Sequence, residues 1–176
     1  MNRKDAEEFI SFVNKNPLAQ LWLDLGCGTG LFTLALAGSL PLGSRIIAID
    51  KDERALSKIP ATENDIVIQT MAADFVTDAL DVKEVDGMLI ANSLHYVKDK
   101  ETLLRKLISS MKTNGVFLIV EYDRKAGNQW VPYPLTIDAA NALFKGLGYS
   151  DFHVLNKRPS LFGGYYMYAA IITKFQ

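Results

Sequence analysis

The chain has almost no cysteine, because Cys27 is the single one among 176 residues. One cysteine excludes an internal disulfide and cannot anchor a zinc site of cysteine thiolates, so we expect no metal site. An excess of basic charge is also absent, since 19 Lys and Arg side chains are balanced by 20 Asp and Glu. Nucleic acid is therefore not an expected partner, because its phosphates are bound by basic surfaces.

Long apolar runs are missing too. Residues 1–12 are charged and lack the apolar stretch of a secretory signal. The uncharged stretches 25–44 and 159–172 are interrupted by glycine and proline, and neither is the run of about 20 apolar residues that a membrane span needs. We expect a cytoplasmic protein without a membrane anchor, with one domain over residues 1–176.

What is present is an alternation of strand and helix patterns. The predicted strands are 21–25, 45–50, 66–72, 85–91, 116–122, 152–155 and 165–173, and the predicted helices after the first strand are 31–40, 53–59, 98–111 and 136–147. Such alternation predicts parallel βαβ units. The last two strands lack a helix between them, so one of them must be antiparallel. We therefore predict a single α/β, Rossmann-like domain: a seven-stranded, mostly parallel sheet with one antiparallel strand and helices on both faces.

An amphipathic helix is predicted before the first strand, at residues 4–14. Its apolar side carries Phe9, Ile10 and Val13, and Asn16-Pro17 ends it, because a residue before proline avoids the helical conformation. This segment, residues 1–17, is the candidate lid of the protein.

The segment DLGCGTG at residues 24–30 closes the first strand and opens the next helix. Glycines let a ligand approach the backbone, and a helix N-terminus attracts negative groups; a tight strand-to-helix turn is the structural alternative. A dinucleotide fingerprint needs a third small residue. Here that position is Leu31 when counted from Gly26, or Thr33 when counted from Gly28. The spacing disfavours NAD and flavin dinucleotides.

Three acids stand at the carboxyl ends of successive strands, where such sheets bind ligands. Asp24 precedes the loop, Asp50 ends the second strand and Asp74 follows the third. Three carboxylates oppose a pyrophosphate but suit the ammonium, sulfonium, ribose diol and amine of S-adenosylmethionine, whose carboxylate can use the loop N–H groups. Alternatively, Asp50 and Asp74 cap the segments that follow them, and Asp24 only orients the loop.

Four segments together resemble the class I S-adenosylmethionine-dependent methyltransferases of the small-molecule type. They are DLGCGTG (24–30), AID (48–50), AADF (72–75) and DGMLIANSLHYV (86–97). The resemblance extends from about residue 18 to residue 173. It implies that strands one and four meet at the switch point of the sheet and that the last strand is antiparallel to the rest.

The resemblance also implies roles for the matched residues. Asp24 would lie near the methionine amino group, Asp50 would hold the ribose hydroxyls, and Asp74 would accept from the adenine amine. Asn92 would lie beside the methionine, near the transferring methyl. The full expected cofactor site is Asp24, Gly26, Cys27, Gly28, Gly30, Asp50, Lys51, Asp74, Phe75 and Asn92. Cys27 is expected to be a small buried residue rather than a nucleophile.

His95 is the candidate catalytic residue, because it follows the fourth strand at the rim where the methyl would emerge. A neutral imidazole there can accept a proton from the acceptor; a solvent-exposed or structural histidine is the alternative. Residues 121–123 end the fifth strand on the same side. In the loop 124–135, Trp130 and Tyr133 either cover an acceptor pocket or pin the loop.

We therefore predict an S-adenosylmethionine-dependent methyltransferase that acts by in-line methyl transfer on a small-molecule acceptor. The alternative is a non-catalytic module that binds S-adenosylmethionine or its demethylated product. The sequence identifies neither the acceptor nor the oligomeric state.

Overall fold

The structure, a computed structural model, describes residues 1–12, 14, 16–160 and 164–174. Its strands are β1 (Leu21–Leu25), β2 (Arg45–Asp50), β3 (Thr62–Glu63), β4 (Ile66–Ala72), β5 (Val85–Ala91), β6 (Met111–Asp123), β7 (Asp151–Pro159) and β8 (Tyr166–Thr173). Its helices are α1 (Arg3–Phe9), α2 (Leu31–Ala37), α3 (Glu53–Leu56), α4 (Lys100–Ile108) and α5 (Ile137–Gly146), with a 3₁₀ turn at Leu94–Tyr96.

The strands form one sheet in the order β3-β4-β2-β1-β5-β6-β8-β7. β1 pairs in parallel with both β2 and β5, so the chain runs outward to β4 and then crosses to the other side of β1. This places the switch point between β1 and β5. β8 is antiparallel to β6. The predicted α/β fold, its switch point and its antiparallel last strand are confirmed.

The predicted count of seven strands is wrong, because the described residues form eight. The additional strand is β3, which pairs antiparallel with the start of β4. Asn64 and Asp65 turn the chain between them with positive φ angles of 48° and 61°. A strand of two residues is too short to show the alternation by which strands are predicted.

The first helix is shorter than predicted, since α1 ends at Phe9 and not at Asn14. The side chains of Asn14 and Asn16 accept hydrogen bonds from the N–H groups of Asn16 and Leu18, which satisfies these donors outside a helix. Phe9 and Ile10 are buried as expected, whereas Val13 lies outside the described residues.

The other helices are also shorter than predicted: α2 and α3 begin where predicted but end early, whereas α4 and α5 also begin later, after their capping residues. Asp52, Asp99 and Thr136 each accept a hydrogen bond from a backbone N–H in the first turn of α3, α4 and α5. β6 begins at Met111, earlier than the predicted strand 116–122, and includes a register shift against β5 between Met111 and Val116. Two apolar clusters bury the two faces of the sheet.

Trp22 and Gly87 fit together where β1 and β5 pair. Trp22 is 1% exposed and its indole N–H donates to the Gln20 side chain at 2.8 Å. A Cβ on Gly87 would lie 2.4 Å from the indole ring. The absence of a side chain at residue 87 therefore lets the central strands pair with the indole between them.

We expect Gly87→Ala to lower the free energy of unfolding by about 1–3 kcal/mol or more, because the added methyl overpacks the Trp22 site. The measurement is chemical denaturation followed by circular dichroism. The matched control is Gly146→Ala in α5, where a Cβ would meet no atom within 4 Å. The control should leave stability unchanged or raise it by up to about 1 kcal/mol. Equal effects of the two substitutions would contradict this account of Gly87.

Candidate functional site

The loop between β1 and α2 places its three glycines in left-handed conformations. The φ angles of Gly26, Gly28 and Gly30 are 75°, 53° and 85°. A Cβ at Gly26 would lie 2.6 Å from the Ser93 Cβ, and one at Gly30 would lie 2.8 Å from Ile59. A Cβ at Gly28 would meet no described atom within 4 Å. The loop is therefore packed at both ends and open in the middle, which leaves room for a ligand to approach its backbone.

The N–H groups of this loop are largely used inside the protein. Gly26 and Cys27 both donate to the Ile49 carbonyl, Gly30 donates to the Cys27 carbonyl, and Gly28 donates to Asp50 Oδ2 at 2.8 Å. The expectation that a ligand carboxylate uses these groups is therefore wrong for these four residues. They hold the loop in shape, and the loop can meet a ligand through its CH₂ surface.

Asp24 is fully buried at the end of β1. Its Oδ2 accepts a 2.6 Å hydrogen bond from the Thr33 hydroxyl, whereas its Oδ1 is enclosed without a hydrogen-bond partner. Burial, which the negative charge of Asp50 reinforces, raises the pKa of Asp24 to about 7. A donor, above all a cationic one, is therefore favoured next to this carboxyl group.

Asn92 directly follows β5, across the switch point from the loop. Its φ of 54° is unusual for a residue other than glycine, and such strain is concentrated at functional sites. Its N–H donates to the Val120 carbonyl, and its Oδ1 is a second enclosed acceptor without a partner among the described residues. The neighbouring Ser93 touches Gly26 and donates to the Leu25 carbonyl at 2.6 Å. The structure thus brings Asn92 to the loop, as predicted from their motifs.

Asp50 holds the loop and does not cap α3. Its Oδ1 accepts from the Asp52 N–H at 2.9 Å while its Oδ2 accepts from Gly28, and Asp52 is the residue that caps α3. Each carboxylate oxygen has a second lone pair for a further donor. Lys51 is exposed beside Asp50.

Asp74 caps the turn after β4 with one oxygen. Its Oδ1 accepts from the Val76 N–H at 3.0 Å, so the capping alternative holds for this atom. No hydrogen bond occupies its Oδ2 within the part of the chain that the structure describes. Phe75 is buried with its ring beneath Gly26.

Cys27 is half-buried in the loop, and burial raises the pKa of its thiol above the ordinary value, with the charges of Asp24 and Asp50 adding to the effect. The thiolate is therefore disfavoured, and the structure offers no nucleophile here.

His95 lies in the 3₁₀ turn after β5 and is only 2% exposed, so the solvent-exposed alternative is wrong. Its Nδ1 lies 2.7 Å from Glu121 Oε2, and its backbone N–H donates to Glu121 Oε1 at 3.0 Å. The ring packs between Tyr96 and Tyr122, with centroids 4.3 and 5.7 Å away. The pKa of Tyr122 is raised, chiefly by burial and also by the electrostatic effects of Glu121 and Tyr96.

Sequence reasoning placed Glu121 on the ligand side but missed its pairing with His95. Thr33 and Ser93 were missed as partners of Asp24 and the loop. Ser93 lies within the fourth matched segment, which offered a signal, whereas Thr33 lies beyond the first segment. The contacts of both depend on tertiary packing.

The loop 124–135 is not pinned by its aromatic residues. Trp130 is 70% exposed and Tyr133 is 41% exposed, whereas Val131 and Leu135 are buried. The Tyr133 N–H donates to the His95 carbonyl at 3.0 Å, so this loop returns to the site.

The sequence model of the family described as "Methyltransferase domain" matches residues 23–119, more than half of the chain. The chain therefore belongs to the methyltransferase-domain family. This match spans the glycine loop, Asp50, Asp74, Asn92 and His95.

Two relatives show how far the likeness extends. A carboxy-S-adenosyl-L-methionine synthase of Hydrogenovibrio crunogenus is 28% identical over 152 residues, which cover 82% of this chain and 58% of the relative. A cypemycin N-terminal methyltransferase of Streptomyces is 28% identical over 126 residues, 66% of this chain and 50% of that protein. The chain thus spans little more than half the length of these relatives.

Solved structures share the fold at low identity. A magnesium protoporphyrin IX methyltransferase of Synechocystis with bound S-adenosylhomocysteine superposes with a TM-score of 0.69 at 13% identity, over 98% of this chain and 83% of that one. A plantazolicin methyltransferase in complex with the same ligand superposes with a TM-score of 0.66 at 19% identity, over 97% of this chain and 82% of that one.

Among the described residues, no helix is long and apolar enough to cross a bilayer. In the same part of the chain, no group of three or more His, Cys, Asp or Glu side chains is placed to hold a metal ion.

The buried Asp24 should make stability depend on pH. Its native pKa lies above the ordinary carboxyl value, so the folded state binds the proton more tightly than the unfolded state and loses stability as pH rises towards and past 7. Between pH 5 and pH 8, ionisation of this carboxyl group should lower the free energy of unfolding by about 2–3 kcal/mol. We expect Asp24→Asn, which carries no titrating group, to lack that loss.

The measurement is urea denaturation of both proteins without ligand at pH 5 and pH 8. At each pH the free energy of unfolding of wild type is subtracted from that of Asp24→Asn. The change in this difference between pH 5 and pH 8 separates the effect of Asp24 from that of other titrating groups. Parallel pH profiles for wild type and Asp24→Asn would contradict the assigned burial.

Proposed function

We propose that this protein is an S-adenosylmethionine-dependent methyltransferase that acts on a small-molecule acceptor. The observation that carries the proposal is the pair of enclosed acceptor atoms, Asp24 Oδ1 and Asn92 Oδ1, on the two strands beside the switch point. Enclosed polar atoms without partners are costly and call for donors. The amino group of the methionine moiety supplies such donors, and its positive charge suits the buried Asp24.

The remaining cofactor residues fit around this pair. Gly26, Gly28 and Gly30 form the open loop along which the methionine and ribose would lie, with Cys27 beside them. Asp50 would accept from the ribose hydroxyls with its remaining lone pairs, and exposed Lys51 would border the ribose. Asp74 Oδ2 and the backbone of Phe75 would meet the adenine. S-adenosylmethionine supplies a methyl group activated by the sulfonium.

His95 and Glu121 would serve the acceptor side. Glu121 holds Nδ1 and the backbone of His95, and a proton on Nδ1 leaves Nε2 as the acceptor atom of the neutral ring. In this tautomer His95 can take the proton that an acceptor hydroxyl or amine loses during attack. Glu121 is then a positioning residue, comparable in role to the carboxylate that orients a histidine base.

Membership of a methyltransferase family and the catalytic names of both relatives favour an enzyme over the non-catalytic binding module. Composition supports a cytoplasmic protein with a single domain, and residues 1–17 are the candidate lid. A small molecule is the proposed acceptor, and nucleic acid is not, because the net charge of −1 gives no basic surface excess.

The decisive experiment is calorimetry with S-adenosylmethionine, S-adenosylhomocysteine and NAD. Both adenosyl ligands should bind, and NAD should bind at least tenfold more weakly or not at all, because the acids of the crevice oppose its pyrophosphate. Asp50→Ala should weaken adenosyl binding at least tenfold, through the loss of charge-assisted hydrogen bonds worth roughly 1.5–3 kcal/mol each before compensation by water.

The matched control for Asp50→Ala is Asp52→Ala. It removes the cap of α3, which should cost about 1 kcal/mol of stability, but it should leave ligand affinity within threefold. Tighter binding of NAD than of either adenosyl ligand would overturn the proposal, and equal losses of affinity in the two variants would reduce Asp50 to a structural role.

His95→Ala should lower turnover by about 10²–10⁴ once an acceptor is found, as expected for a lost general base, and should change cofactor affinity by less than threefold. Glu121→Gln should lower turnover less, because the histidine loses the carboxylate that orients its ring but keeps its own side chain. Steady-state kinetics provides the measurement.

The second histidine of the chain, His153, provides the control, because it is exposed on β7. His153→Ala should leave both kinetics and affinity unchanged. A loss of turnover below tenfold in His95→Ala would make His95 a wall of the pocket, and a large loss of cofactor affinity would place it on the wrong side of the sulfur.

A further inference from the structure

Arg124 is a buried cation with no ion pair and no side-chain hydrogen bond in the described part of the chain. The residue is 8% exposed, and its Nε is enclosed with no hydrogen bond. Its guanidinium stacks on the ring of Tyr165, with Cζ 4.2 Å from the ring centroid. Stacking covers one face of the guanidinium but does not satisfy its N–H donors, which lie in the plane of the group.

Carboxylates adjacent to Arg124 along β6 are occupied by other groups. Asp123 pairs with Lys157 at 3.4 Å and accepts from the Ile137 N–H at 3.2 Å. Glu121 is paired with His95. A buried charge is costly to the folded protein when the two carboxylates beside it on the strand have other partners, unless an anion reaches it from outside the chain.

Arg124 also lies at the end of the sheet where the acceptor must enter. Pairing of β5 with β6 ends at Ala91 and Val120, so β6 extends beyond β5 on the side of Asn92. The extension carries Glu121, which holds His95, and then Arg124. The loop that begins at Arg124 returns to the site through the hydrogen bond from Tyr133 to the His95 carbonyl.

We infer that Arg124 binds a carboxylate of the methyl acceptor, so that the substrate class is a small carboxylic acid. The inference rests on the proposed function and adds the charge of the acceptor to it. A guanidinium edge matches the two oxygens of a carboxylate in one plane. The next residue, Lys125, is exposed, so one buried positive charge faces the ligand, which suits a monoanionic carboxylate better than a dianionic phosphate.

The test compares acids with their uncharged amides on the wild-type protein. Benzoate and benzamide form one matched pair, and cyclohexanecarboxylate and cyclohexanecarboxamide form another, each titrated by ligand-observed NMR with and without saturating S-adenosylhomocysteine. In the presence of that ligand, each acid should bind at least about tenfold more tightly than its amide, the lower range of a charge-assisted hydrogen bond. Phenyl phosphate should bind more weakly than benzoate.

Two variants connect the preference to the residue. Arg124→Gln should abolish the preference for acids while S-adenosylhomocysteine binds within threefold of wild type, which also shows that the variant is folded. Lys125→Gln removes the same charge from the neighbouring exposed position and should keep the full preference.

The outcomes separate the two claims. If wild type binds S-adenosylhomocysteine but favours neither acid over its amide, or favours phenyl phosphate, the inference about Arg124 is wrong and the proposed function stands. Loss of the preference in Lys125→Gln to the same extent as in Arg124→Gln would also refute it, because general charge would then explain binding. If S-adenosylhomocysteine does not bind at all, the proposed function fails and the inference fails with it.

Discussion

The contact between Gly26 and Ser93 is the constraint on which the candidate site depends. Residue 26 has no room for a side chain against Ser93, and the Ser93 hydroxyl donates to the Leu25 carbonyl. These two interactions join the end of β1 to the end of β5 where the chain reverses its direction across the sheet. Asp24 and Asn92 then lie on either side of one crevice. The two unpaired acceptor atoms are a consequence of this junction and not of either strand alone.

Charge is divided between the two halves of the site. Asp24, Asp50 and Asp74 make the half beside β1, β2 and β4 acidic, and Asp24 is kept partly protonated near neutral pH by its burial. The half beside β6 holds Arg124 and the pair of His95 and Glu121. A ligand with a cationic end and an anionic partner beyond it would meet favourable charge on both sides. The division follows from strand order, because β5 lies between β6 and the strands that carry or precede the three acids.

The sequence predicted the strands better than the helices. The first four predicted strands have the observed bounds, because apolar runs between turns mark buried parallel strands clearly. The predicted helices are too long because apolar residues such as Leu40, Ile59 and Met111 continue beyond the last turns of α2, α3 and α4, and β3 is too short to show any pattern. In the site, the acids and glycines were predictable since they lie within continuous motifs. The pairing of His95 with Glu121 and the stacking of Arg124 on Tyr165 each join residues 26 or more positions apart. No local sequence pattern therefore reveals either contact.

The margin of the sheet at β7 is protected against further strands. β7 ends in Lys157, Arg158 and Pro159, and α1 lies against it, with the Asn156 amide donating to the carbonyls of Glu8 and Phe9. A charged or covered margin denies another chain the row of free backbone groups that sheet extension requires. Copies of this protein that meet in a crowded solution are thus steered away from strand addition at β7, the route by which many sheet proteins aggregate.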